Sequence, residues 1–213
     1  SLLQLVKAKF SGKVILKACA NGASEFMTNV AISLVNVIYN LQLLHIAGEN
    51  GVAAYGTIMY VNFIFIAIFI GYSMGCAPLV GYNHGAQNHK ELKNLFRKSL
   101  ILIGVTGVAL TGLAFLLASP LSQLFVGYDA ELLEMTKHGM QLFLLAFLVN
   151  GFNVFGSAFF TALNNGLVSA IISFLRTLLF QVAAVFLLPL VLGLDGIWLA
   201  ISVAEVLTLI ITI

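Results

Sequence analysis

Residues 50–89 contain no Asp, Glu, Lys or Arg, and neither do residues 99–128 or 139–175. A water-soluble domain carries roughly 25% charged residues, so uncharged stretches of this length predict burial in lipid rather than in a soluble core. Apolar runs of about 18 residues or more read as membrane spans. The whole chain agrees, with 61% hydrophobic residues, 8% charged and a mean hydropathy of +1.05. Only helices and closed barrels satisfy the backbone in hydrocarbon. These segments are too long and too uniformly apolar for barrel strands of about ten alternating residues. The fold class is therefore all-α, a polytopic transmembrane helix bundle.

Polar and Gly/Pro punctuation divides the chain into about six spans, near 18–46, 52–80, 99–119, 138–163, 167–192 and 196–213, after a basic lead-in over 1–17. Short connectors are expected at 48–51, 164–166 and 193–196, and longer ones at 81–98 and 120–137. Lys7, Lys9, Lys13 and Lys17 precede the first span, and Lys90, Lys93, Arg97 and Lys98 lie between the second and third. The opposite connectors carry Glu49, then Asp129, Glu131, Glu134 and Lys137, then Asp195. By the positive-inside rule the basic side is cytoplasmic, which puts the N-terminus of a multi-pass chain in the cytoplasm.

Net charge of +2, with no basic stretch interleaved with stacking aromatics, gives no reason to expect nucleic acid as a partner. Cys19 and Cys76 have no disulfide or metal spacing and read as packing residues. The sequence starts without Met, has no signal-peptide pattern and ends inside an apolar run, so a piece of a longer protein is expected.

A helix that only fills lipid needs no polar residues, so their alignment is informative. In span one, Glu25, Asn29, Ser33, Asn36 and Asn40 are spaced 4, 4, 3 and 4, a sector of about 80° at about 100° per residue. In span four, Asn150, Asn153, Ser157, Thr161 and Asn164 are spaced 3, 4, 4 and 3, within about 60°. Ser169, Ser173 and Arg176 repeat the pattern in span five, and Trp198, Ser202 and Glu205 share one side of span six. Span two presents Tyr55, Met59, Asn62, Ile66, Phe69 and Ser73, a mainly aromatic and apolar face. Such stripes either glue helices together through hydrogen bonds or line an aqueous cavity, and spacing alone leaves both open. Gly104, Gly107 and Gly112 of span three read as sites of close helix packing.

Glu25 lies eight residues past Lys17, about 12 Å along the helix, where an ionised carboxylate costs several kcal/mol unless hydrated, paired or bound to a cation. A carboxylate whose charge depends on occupancy is what a proton- or sodium-coupled carrier requires. Glu205 is the second intramembrane acid. Arg176 reads as a structural partner within the bundle or a snorkelling residue. His45, His84, His89 and His138 read as solvated residues at span ends and connectors. No Ser/His/Asp set, HExxH, GxSxG or P-loop supports an enzyme, and no cofactor is implied.

The run Gly71-Tyr72-Ser73-Met74-Gly75-Cys76-Ala77-Pro78-Leu79-Val80-Gly81-Tyr82-Asn83-His84-Gly85-Ala86, followed by a basic connector, resembles the signature in the C-terminal lobe of the MATE (multidrug and toxic compound extrusion) family. Ser173-Phe174-Leu175-Arg176 and the stretch from Gly196 through Trp198 and Ser202 to Glu205 are similar to that family's later helices. The resemblance implies one lobe of a twelve-helix MATE-like transporter, helices seven to twelve, with an N-terminal lobe outside this sequence. It further implies export of small amphipathic, often cationic compounds in exchange for H⁺ or Na⁺, across a bacterial cell membrane. Glu25 matches the acidic residue of the family's seventh helix. One branch also has an acidic residue in its tenth helix, where span four carries only Asn150 and Asn153, so the coupling ion stays open.

These readings combine into one expectation. Glu25 and Glu205 handle the coupling ion, and a cavity wall is formed by Asn29, Ser33, Asn36, Asn40, Tyr55, Met59, Asn62, Phe69, Asn150, Asn153, Ser157 and Arg176. Aromatic and Met surface suits flat apolar cations, because such contacts are weakly directional. Membrane lipid and the N-terminal lobe are the other partners. A flippase for lipid-linked saccharides and a structural membrane subunit without transport activity are the alternatives.

Overall fold

The computed structural model describes residues 11–212, apart from the side chains of Asn21, Ser24 and Glu25. All regular structure among the described residues is helical. The first helix, α1 (Gly12–Gly85), is broken at Gly48, where φ is 65° and ψ −155°, a conformation open to glycine because it has no Cβ. The break makes two arms, residues 12–47 and 49–85. Next come α2 (His89–Val126) and a rod made of α3 (Ala130–Phe143), a 3₁₀ turn at Leu144–Ala146 and α4 (Phe147–Ala162). The fifth rod joins α5 (Gly166–Phe174), a π-helical segment at Leu175–Gln181, α6 (Val182–Leu187) and the short α7 (Pro189–Leu192). The last helix is α8 (Leu194–Thr212). Among the described residues, five continuous helical stretches are long and apolar enough to cross a membrane, and the first, Phe26–Gly85, holds both sides of the Gly48 break, so the bundle has about six spans.

The helices overrun the apolar runs. Residues 89–98 and 130–137, expected within connectors, are helical. Both starts are capped: Asn88 Oδ1 accepts from the Glu91 amide at 3.2 Å, and Asp129 Oδ1 accepts from the Glu131 and Leu132 amides at 2.9 and 3.0 Å. Such caps satisfy otherwise orphaned N–H groups, and Leu92 and Leu132 then bury one side of each extension. The turn after α4 uses Asn164 at φ 59°, the left-handed region that Asn tolerates better than most residues.

Lipid tails are as apolar as Leu, so close packing has to hold such helices together. Three glycines show where this happens. A Cβ on Gly139 would lie 2.8 Å from Trp198 Cε2, and one on Gly107 would lie 2.9 Å from the Phe147 carbonyl oxygen. One on Gly104 would meet Phe152 Cζ at 3.4 Å, whereas Gly112 faces open space. Tyr39, Leu43, Phe143, Phe147 and Trp198 are fully buried between the rods. Ile64, Leu116 and Ile210 are at least 70% exposed, the apolar exterior that a lipid solvent stabilises.

Candidate functional site

The polar faces of the fourth, fifth and sixth spans converge on Glu205. It sits on α8 with 3% exposure. Asn150 Nδ2 donates to its Oε1 at 2.9 Å, and Asn153 Nδ2 donates to Oε2 at 2.7 Å and to the Glu205 main-chain oxygen at 2.9 Å. Arg176 Nε donates to Oε1 at 2.8 Å. Three amino acids from two neighbouring rods therefore solvate one carboxylate. An unpaired charge there would cost several kcal/mol.

Local sequence explains the arrangement. Asn150 and Asn153 are three residues apart on α4 and so share a face. Arg176 lies in the π-helical segment, whose wider turn re-aims side chains and is often found at functional sites. At the end of that segment, Gln181 borders the fully buried Tyr39 of α1, which also lies within the electrostatic reach of Glu205 and whose hydroxyl has no well-formed hydrogen bond. Tyr39 stacks on Tyr55 with ring centroids 5.0 Å apart, and Tyr55 donates to Asn36 Oδ1 at 2.7 Å. Asn36, Tyr55 and Tyr39 thus link the two arms of α1 on the side that faces Glu205.

Farther along α4, Ser157 Oγ lies 2.8 Å from Ser169 Oγ and 3.1 Å from Ser173 Oγ, and Thr161 donates to Ser169 Oγ at 2.8 Å. These hydroxyls join α4 to α5 as interhelical glue. Asn150, Asn153 and Ser157 are all buried inside the lobe. The stripe of the first arm has different surroundings. Asn29 and Ser33 are exposed, with Ser33 Oγ donating to the Asn29 carbonyl at 3.1 Å, and Asn36 and Asn40 are half-buried. On the second arm Tyr55, Asn62 and Phe69 are buried and Met59 half-buried. Glu25 lies on α1, its side chain outside the described residues.

Two relationships were not visible in the sequence. Arg176 has Glu205 for its carboxylate partner. His138, expected to be simply solvated, lies 2.8 Å from Asp195, with both side chains about half exposed. Neither pair has a short spacing that a helical pattern would flag, since the partners are 29 and 57 residues apart. The buried Asn150 Oδ1 and Asn153 Oδ1 have no hydrogen-bond partner, which leaves two amide oxygens next to a carboxylate. Among the described residues no group of three or more His, Cys, Asp or Glu could hold a metal ion.

In fold, the chain matches an outward-facing multidrug-resistance MATE family transporter of the MOP superfamily with a TM-score of 0.90 at 21% identity, covering 99% of this chain and 48% of that one. An inward-facing structure of such a transporter matches with a TM-score of 0.83 at 20% identity, covering 96% and 47%. A MOP superfamily transporter from Pyrococcus furiosus, described as having a binding pocket of reversed polarity that suggests a different function, matches at 0.88 and 20% identity, covering 96% and 46%. The chain spans about half the length of these relatives. No curated protein matches it in sequence. The MatE family matches residues 26–187, most of the helical bundle just described, and the chain belongs to that family of membrane transporters.

Proposed function

We propose that this chain is the C-terminal lobe of a secondary active multidrug exporter, which moves small amphipathic, often cationic compounds out across the cell membrane in antiport with H⁺ or Na⁺. The observation that carries the reading is Glu205, a carboxylate buried between spans and held by Arg176, Asn150 and Asn153.

A coupled carrier needs an element whose two states differ in affinity for the ion. Glu205 can supply it. A proton arriving at the carboxylate removes the charge that holds Arg176 and frees the guanidinium. A desolvated Na⁺ achieves the same by taking the carboxylate oxygens together with Asn150 Oδ1 and Asn153 Oδ1, since hard cations prefer oxygen ligands. Either event leaves Arg176 seeking a new acceptor from a π-helical segment that is easily rearranged. The Tyr39–Tyr55 stack would then pass the change from the first arm to the second, and the Tyr55–Asn36 hydrogen bond ties the two together. Rocking of this lobe against its partner lobe would alternate access to substrate bound between them. Glu25, from its sequence position, is the second coupling candidate.

The test is gradient-driven export of a cationic dye by the complete transporter in proteoliposomes, with pH and Na⁺ gradients imposed separately. Glu205→Gln is expected to abolish the response to whichever gradient drives the parent, at unchanged insertion and abundance. Full gradient-driven export by that variant would remove Glu205 from the coupling mechanism.

A further inference from the structure

The surroundings of Glu205 contain two buried acceptors with nothing to accept. Asn150 Oδ1 and Asn153 Oδ1 have no hydrogen-bond partner, on side chains that are 2% and 0% exposed. Each amide turns its nitrogen to the carboxylate instead, at 2.9 and 2.7 Å. That orientation follows from the chemistry, since an oxygen facing an ionised carboxylate would set acceptor against acceptor. A primary amide donates at one end and accepts at the other, and half a turn about its last bond exchanges the two. An ionised carboxylate only accepts, whereas a protonated one must place an O–H. The orphaned oxygens are therefore idle beside the charged form of Glu205 and useful to the neutral form.

The remaining contacts select the atom that takes the proton. Oε1 already receives Arg176 Nε at 2.8 Å and Asn150 Nδ2. The donor to Oε2 among the described residues is Asn153 Nδ2. A proton on Oε1 would sit against the guanidinium charge, so Oε2 is favoured. Its new O–H then meets the Asn153 amide, which by turning replaces the Nδ2 contact with one through Oδ1. Asn150 keeps its donation to Oε1, now the carbonyl oxygen of the acid. The same turn withdraws Asn153 Nδ2 from the Glu205 main-chain oxygen, its other acceptor at 2.9 Å, so protonation is felt by the backbone of α8.

Sodium suits this geometry less well. It would need both amides turned, and it would add a second positive charge beside a carboxylate already paired with Arg176. The titratable groups set against Glu205 are Arg176 and, from α1, Tyr39. Neither α4 nor α6 carries one. Those of α3 lie toward the end of α8 where His138 meets Asp195, about 15 Å along the helix from Glu205.

We propose that the coupling ion at this site is H⁺, taken up on Glu205 Oε2, and that Asn153 is the positioning residue that switches from donor to acceptor to hold it. The inference rests on the reading of Glu205 as a coupling carboxylate.

The experiment follows the complete transporter in proteoliposomes by infrared difference spectroscopy during acid titration, with its asparagines isotopically labelled in the side-chain carbonyl. A protonated-carboxyl band and a shift of the labelled amide band are expected to grow with one midpoint, and both should be lost in Glu205→Gln. Asn153→Leu should lose the amide shift and Asn150→Leu should keep it. Replacing choline with Na⁺ at constant ionic strength should leave the midpoint unmoved. Where an Asn variant does not insert, the shared midpoint and its indifference to Na⁺ in the parent still decide. Carboxyl protonation without an amide shift would overturn the proposal, as would a midpoint that moves to lower pH with Na⁺ or the absence of any carboxyl band that depends on Glu205. In each of those cases, gradient-driven export that is lost in Glu205→Gln would retain Glu205 as the coupling carboxylate, so that only the choice of ion and the turning amide fall.

Discussion

Arg176 and Glu205 meet through Nε and Oε1 at 2.8 Å, with 17% and 3% of their side chains exposed. Deleting one partner of a buried pair costs about 3–5 kcal/mol, because it strands the other charge, whereas replacing both with apolar groups is often close to neutral. Arg176→Met and Glu205→Met should therefore each lower thermal stability in detergent more than the double variant does. A double variant as unstable as the sum of the singles would mean that the two side chains do not act as a pair.

At Gly139 a methyl group would press on the Trp198 ring. Overpacking of this kind costs typically about 1–3 kcal/mol. Trp198 is the single tryptophan of this sequence and is fully buried, so it reports on its own displacement. Gly139→Leu should shift the Trp198 emission to longer wavelength and lower the melting temperature. Gly112→Ala, in open space, should leave both unchanged.

The break between the two arms of α1 depends on Gly48 at φ 65°. Any side chain there suffers backbone strain of about 1–3 kcal/mol. Gly48→Val is expected to reduce stability by that order, measured as a shift in denaturation midpoint. Gly56→Ala on the second arm, with no atom near its missing Cβ, serves as the control.

Accessibility to aqueous thiol reagents should follow burial. With Cys19 and Cys76 replaced, Ser33→Cys on the exposed stripe should label rapidly and Asn153→Cys, at 0% exposure, should not. Rapid labelling of the second would show a water-filled space around Glu205.

His138 and Asp195 provide a contrast with the buried pair. Both are about half exposed, and exposed pairs contribute only about 0–1 kcal/mol. His138→Ala should move the melting temperature little, and calorimetry would check it.

How much of this was readable from residues alone varies by element. The spacing of Asn150, Asn153 and Ser157 announced a shared polar face, and the structure buries all three together. What the face meets was not legible, because Arg176 and Glu205 approach from other spans at sequence separations that no helical period encodes. The extent of α2 and α3 was masked for another reason. Hydropathy stops at the lipid boundary, while helices capped by Asn88 and Asp129 continue into the interface. The cluster of Phe96, Phe155 and Phe159 left no trace at all, since Phe is ordinary in a membrane span whether it faces lipid or a neighbour.

The π-helical segment at Leu175–Gln181 divides the fifth rod into two stretches with independent angular phase. Ser169 and Ser173 before it are set against the α4 hydroxyls, and Gln181 at its end is set against Tyr39. Each residue turns an α-helix by about 100°, so removing a single residue from this segment would keep the first alignment and swing Gln181 away from Tyr39. The extra residue is the vernier that lets one helix serve two neighbours at once.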